Sequence, residues 1–215
     1  QRIEAVIDFA KSSGDFQGEN PAAWNGNLKG LLANPSKLRD VKHQPALQYK
    51  EMAEYMALLE SKGAFSKDGM LSIKALALIV LTATRNNEAV KARWEEFDLD
   101  ARTWTIPKTR TKNKQPHTIP LSDKAIEILS TLYRHSAGFV FPSGVDNKGK
   151  QQPLTIAATL KACKELKRKS TGESFKDADG RVITVHGFRS TFRNWAGAVS
   201  SYPRDVAEAA LAHAI

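Results

Sequence analysis

The chain has 215 residues, 41% of them hydrophobic, and its 32 Lys and Arg exceed its 23 Asp and Glu to leave a formal net charge of +9. That much apolar material builds a sizeable core and excludes wholesale disorder. The single cysteine, Cys163, excludes an internal disulfide and a cysteine-rich zinc site, and the longest apolar stretch, Ala75 to Ala83, is about half of a bilayer crossing.

Taken from its start, the chain carries Ile3, Val6, Ile7 and Ala10 at helical spacing, so residues 1–11 are expected to form the tail of a helix belonging to a preceding domain. There is no signal peptide and no initiator Met, and the expectation is a piece of a soluble, cytoplasmic protein with no membrane partner. Residues 12–45 are punctuated by Gly14, Gly18, Pro21, Gly26, Gly30, Pro35 and Pro45 and are expected to be an interdomain linker, its middle pinned to a surface by Trp24, Leu28 and Leu31. Helices are predicted over Tyr49 to Leu59 and Leu71 to Thr84. Alternation around Trp104 and Ile106, and again over His117 to Leu121, predicts a short antiparallel sheet joined by a basic turn. Ser122 is placed to cap a helix running to about Tyr133, and a basic amphipathic helix is predicted over Thr155 to Lys169. A turn or hairpin centred on Asp179-Gly180 follows, then helices over His186 to Val199 and Asp205 to His213, divided by Pro203. The fold class is mostly α with a small antiparallel β-sheet, an α+β domain.

The positive charge is clustered. Residues 101–120 hold Arg102, Lys108, Arg110, Lys112 and Lys114 and no acid, and residues 161–169 hold five more bases against Glu165 alone. A basic excess favours nucleic acid as partner, and its concentration in two segments points to a surface that follows phosphates. On this ground Arg110, Lys114, Lys161, Lys164, Lys167 and Arg168 are the candidate DNA contacts.

Three segments carry candidate chemistry: Thr84-Arg85-Asn86-Asn87-Glu88; Arg110-Thr111-Lys112 through His117-Thr118-Ile119-Pro120-Leu121-Ser122; and His186-Gly187-Phe188-Arg189. Each by itself is an ordinary helix-surface pair or a solvated basic hairpin. Their order and spacing resemble the tyrosine recombinases, and within them the prophage and genomic-island integrases, whose hairpin reads Arg-x-Lys and then Pro-His-x-x-Pro-Leu-Ser. Glu208 to His213, ending Leu-Ala-His, resembles the family's next block. The resemblance implies the integrase catalytic fold over residues 46–215, truncated at its C-terminal side, with residues 1–11 as the end of a core-DNA-binding domain.

It also implies roles. Arg85 and Arg189 match the two arginines that grip the scissile phosphate, work suited to a planar, permanently charged fork. Lys112 matches the hairpin lysine that protonates the leaving 5′ oxygen, with Lys114 as the nearest wrong choice. His186 matches a phosphate contact and candidate proton acceptor, His213 a further phosphate contact, and Glu88 an acid that orients the first arginine. His117 is expected to be structural. The family's nucleophilic tyrosine follows the position of His213 by about nine residues. None of Tyr49, Tyr55, Tyr133 or Tyr202 stands there, so the expectation is a chain that binds double-stranded DNA attachment sites without cleaving them. The implied parent is a site-specific recombinase that integrates or excises a mobile element through a 3′-phosphotyrosyl link. It would need no metal, nucleotide or other cofactor and would act as a tetramer of protomers in the synapse. Two rivals are a DNA-binding relative that has lost the chemistry, and a type IB topoisomerase.

Overall fold

The computed structural model describes residues 2–33, 43–132 and 138–213 and divides the chain into two compact units, Gln1–His43 and Gln44–Ile215. In the smaller unit, helix α1 (Arg2–Ser12) is followed by chain that folds back on it: Glu4 accepts the Trp24 N–H, and Asn20 donates to the Glu4 carbonyl and to Asp8. Trp24 and Leu28 are half-buried there. Leu31 is 77% exposed, so it does not pin this segment as its apolar character suggested.

The larger unit is assembled around one helix. A tight turn, Tyr49–Glu51, leads into α2 (Met52–Ser61), which is followed by α3 (Leu71–Thr82). α3 is buried on nearly every side, from Ile73 through Ile79, and packs against α2 and four later helices, as a helix without a polar face must. It stops at Thr82 instead of Thr84 because Ala83 takes a left-handed conformation, φ 50°, which no helix continues through. The short helix α4 (Asn86–Val90) starts immediately afterwards.

Strands β1 (Phe97–Asp98), β2 (Thr103–Ile106) and β3 (His117–Pro120) form an antiparallel sheet in the order β1-β2-β3, with Trp104 opposite Ile119 and Ile106 opposite His117. The period-two alternation sends Trp104, Ile106 and Ile119 into the core and leaves Thr105 and Thr118 to solvent. Trp104 stacks on Phe97 at 5.0 Å and donates its indole N–H to Glu96 at 2.9 Å.

Ser122 caps α5 (Asp123–Ser130), accepting the Ala125 N–H; Tyr133, where that helix was expected to reach, lies outside the described residues. A second hairpin, β4 (Pro142–Val145) with β5 (Gln151–Pro153), has no periodic signal in its Gly- and Gln-containing strands and was not anticipated. Helix α6 (Ile156–Glu165) is capped by Thr155 and ends four residues short of the predicted Lys169, because Leu166 turns extended and the chain at Lys167 pairs with Ser174 instead. The Asp177–Arg181 turn follows, with Gly180 at φ 77°. The last helices are α7 (Gly187–Val199) and α8 (Arg204–Ala210). Among the described residues no helix is long and apolar enough to cross a membrane.

Candidate active site

The site grows from the ends of α3, α7 and α8. Arg85 is the extended residue that precedes α4, and Glu88, one turn into that helix, accepts both the Arg85 backbone N–H and its Nη1, each at 2.9 Å. A buried carboxylate thereby fixes the main chain and the guanidinium of one residue together. Arg85 keeps 22% of its side chain exposed, so its remaining donors face outward from this clamp.

Arg189, in the first turn of α7, is buried. Its Nη1 donates to the Ala83 carbonyl at 2.6 Å, its Nη2 to the Leu211 carbonyl at 2.5 Å, and Nη2 also lies 3.1 Å from His213 Nε2. The left-handed turn at Ala83 that ends α3 is what presents the first of these acceptors. Three of its five N–H donors are spent on the protein, which holds the guanidinium plane, and among the described residues the other two have no partner. Burial first, and then the neighbouring charge of Arg85, lower the Arg189 pKa to about 10, with Glu88 pulling the other way. The group stays charged at neutral pH.

His186 stands just before α7. Desolvation, then the charges of Arg189, Arg85, His213 and Lys112, push its pKa below the ordinary imidazole value. It is therefore neutral at neutral pH and able to accept a proton. Gly187 follows it because the chain at Pro45 and Ala46 crosses directly above: a Cβ there would lie 2.0 Å from the Pro45 carbonyl oxygen. His213 Nδ1 is 2.6 Å from Glu208 Oε2, and Glu208 is held in turn by Arg193.

Lys112 projects from the exposed tip of the β2–β3 connection, near enough for its charge to act on His186. The tip is shaped by Thr111, whose buried hydroxyl donates to the Gln115 carbonyl at 2.7 Å, and Asn113 beside it reaches the Ala212 carbonyl at 3.5 Å.

Arg85, Glu88, His186, Arg189 and His213 thus meet in one place, with Lys112 at its edge. The expected DNA contacts are distributed differently. Lys114, Lys161 and Lys164 are exposed. Arg110 turns inward to Glu96 and to the Glu88 carbonyl, tying the base of the hairpin to α4. Arg168 lies outside the helix predicted to carry it, paired with Glu51 and Glu54 and stacked over Phe175. Lys167, also beyond the end of α6, donates to Ser174.

Two members of the cluster escaped the sequence reading. His117, taken as structural, opens β3 next to the site: burial lowers its pKa first, Glu88 opposes that, and Arg189 and Arg85 add to it. Among the described residues its Nδ1 is buried with no hydrogen-bond partner, while a backbone hydrogen bond at Ala210 acts on the ring in the same sense as Glu88. Its place in the hairpin motif was the available signal. Glu208 opens the segment that ends Leu-Ala-His, which was its available signal, but it stands five positions before His213 and no helical period joins the two.

Over residues 46–214 the chain matches the model of the phage integrase family. It belongs to that family, the tyrosine recombinases. Among curated relatives, this integrase chain is 31% identical to prophage integrase IntA of Escherichia coli K12 over 99% of its own length and 46% of the relative's. It is 28% identical to the integrase of Enterobacteria phage P4, again over 99% of this chain and 46% of that one. The chain therefore spans about half the length of the curated relatives it matches. The same fold occurs in a lambda integrase dimer bound to a core site, with TM-score 0.57 at 16% identity over 99% of this chain and 69% of that one. It also occurs in XerA recombinase, with TM-score 0.54 at 15% identity over 99% and 65%.

Proposed function

We propose that this integrase chain is the phosphate-gripping catalytic domain of a site-specific DNA recombinase, a protein that cuts and rejoins DNA to integrate or excise a mobile element. The observation that carries it is the convergence of Arg85 and Arg189. Two guanidiniums close enough that Arg85 lowers the proton affinity of Arg189, with Glu88 already spent on clamping Arg85, make a net positive cradle. A phosphodiester anion relieves that repulsion and takes paired hydrogen bonds from each fork.

In this reading Arg85 and Arg189 hold the non-bridging oxygens, and their contacts strengthen as charge accumulates there in the transition state. Lys112, mobile on its hairpin, protonates the departing 5′ oxygen. Neutral His186 accepts the proton of the attacking hydroxyl, and His213 supports the phosphate. Attack by a tyrosine hydroxyl on phosphorus releases the 5′ hydroxyl and leaves a 3′-phosphotyrosyl bond, which a second 5′ hydroxyl reverses. Residues 46–215 are the catalytic domain, 12–45 the linker and 1–11 the end of a core-DNA-binding domain; the compact unit that begins at Gln44 supports this division. Double-stranded attachment sites and further protomers are the partners. Lys114, Lys161 and Lys164 supply backbone contacts, whereas Arg110 and Arg168 brace the fold.

The test uses the full-length protein that carries this chain. Arg85→Ala and Arg189→Ala are expected to lower strand cleavage of a suicide substrate by on the order of 10²–10³ or more while DNA binding stays within a few-fold. Near-wild-type cleavage by either variant removes that arginine from the site. Loss of binding in parallel with cleavage favours the DNA-binding relative over the recombinase.

A further inference from the structure

His213 is one residue beyond Ala212, which closes α8 in a left-handed conformation at φ 49°. Two backbone bonds make the closure: His213 N–H to the Glu208 carbonyl at 3.0 Å and Ala212 N–H to the Ala209 carbonyl at 2.9 Å. Such a helix ending brings the residue after the left-handed one over the residue five positions earlier, where an apolar contact commonly sits. Here the pair is Glu208 and His213, joined through Nδ1 and Oε2 at 2.6 Å.

The hydrogen-bond roles are determined from both sides of the ring. Glu208 is ionised, its pKa drawn down to about 2 by the bond from His213 first and by Arg193 next, so it can only accept, and Nδ1 must carry the proton. On the other side, Nε2 lies 3.1 Å from Arg189 Nη2, and a guanidinium can only donate, so Nε2 must offer its lone pair. Two independent neighbours require the same tautomer. Glu208 is itself anchored, by Arg193 Nε at 2.7 Å and by Arg204 Nε at 3.6 Å. Arg189 and Arg193 are four residues apart on α7, so one helix supplies both ends of a ring that runs Arg189, His213, Glu208, Arg193.

We infer that Glu208 is a positioning residue: it holds the Nδ1 proton and the ring plane of His213 so that Nε2 faces the place beside Arg189, where it accepts from that guanidinium in the absence of DNA and, on taking up a proton, donates to a phosphate oxygen. Arg193 acts one step further out by orienting the carboxylate. The inference deepens the reading of the site as a phosphate cradle and rests on it for the consequence in cleavage, but the tautomer stands apart from any reaction.

The experiment therefore has two readouts. The full-length protein, labelled with ¹⁵N-histidine and without DNA, is examined by long-range ¹⁵N NMR at a pH well above the ordinary imidazole value of about 6.5. The His213 signals, assigned by their loss in His213→Gln, are expected to show protonated Nδ1 and bare Nε2. A proton on Nε2 in the wild-type protein overturns the inference without recourse to any variant. Glu208→Ala is expected to abolish the preference and Glu208→Gln, whose amide oxygen still accepts, to keep it; an unchanged pattern in Glu208→Ala also overturns it. In cleavage, Glu208→Ala is expected to lower the rate at saturating DNA by roughly tenfold or more, part of what a preorganised donor to the phosphate supplies, with half-saturation unchanged. Cleavage impaired by His213→Gln yet untouched by Glu208→Ala overturns the positioning role. Cleavage untouched by both overturns the assignment of His213 to the phosphate site instead.

Discussion

At the scale of single residues, the cluster separates groups whose charge is invariant from groups whose protonation matters. In the proposed mechanism Arg85 and Arg189 grip the phosphate, whereas Lys112 and His186 move protons. Lys112 is the side chain free to travel, because its tip is built from turn residues anchored by Thr111 and its ammonium is exposed. In the full-length protein, Lys112→Ala is expected to lose cleavage of normal DNA and recover it on a substrate with sulfur at the bridging 5′ position, since that leaving group needs no proton. Arg189→Ala is expected to stay inactive on both substrates. Rescue of Lys114→Ala in place of Lys112→Ala would move the acid two residues along. A second expectation concerns acid stability. Glu208 binds protons less readily when folded, so its contribution is present above the unfolded carboxylate value of about 4.3 and fades as pH falls toward about 2. Acid titrations of wild type and Glu208→Gln, followed by circular dichroism, should therefore diverge above this window and converge within it.

At the scale of elements, two contacts hold the site's components in register. The chain at Pro45 and Ala46 packs on the start of α7 through the bare backbone of Gly187. Gly187→Ala has no room and is expected to cost about 1–3 kcal/mol in denaturant unfolding, the range for overpacked interiors. Glu96 joins the sheet to the hairpin, accepting from the Trp104 indole and from Arg110 while itself buried. Glu96→Ala removes the carboxylate that Arg110 and the Trp104 indole share, leaves the guanidinium only the Glu88 carbonyl, and is expected to cost about 3–5 kcal/mol, with a loss of cleavage that follows the loosening of α4 beside it. Unfolding midpoints within about 0.5 kcal/mol of wild type would show the pair to be a surface contact.

For the whole molecule, the proposed binding of DNA is expected to follow the distribution of charge. Arg110 and Arg168 are neutralised internally, so the exposed lysines of the hairpin tip and of α6 and the open donors of the arginine cradle remain for phosphates. With about five phosphates contacted, log K is expected to fall with log salt at a slope of about −4 to −5, measured by fluorescence anisotropy at several salt concentrations. A flat response would remove DNA as the partner. The 215 residues alone are expected to bind nicked DNA without forming a covalent adduct on a denaturing gel. Tyr55 is buried against Cys163 with its pKa raised by desolvation, and among the described residues no tyrosine hydroxyl hydrogen-bonds the cluster.

What the sequence by itself determined was local or ordered along the chain. The apolar run that became α3, the alternation that turned Trp104 and Ile106 inward, the Ser122 cap, and the succession of Arg85, Lys112, His186 and Arg189 were all legible, because periodicity and motif order are properties of a linear string. Tertiary structure decided which charges are free and which are spent. Arg168 finds Glu51 and Glu54 more than a hundred residues away, and Arg110 finds Glu96 across a strand turn; neither partner is visible to a count of basic residues. It also decided the pairing of Glu208 with His213. That contact depends on a left-handed turn at Ala212, a residue with no intrinsic preference for it, held there because Arg189 captures the Leu211 carbonyl and the helix closes over it.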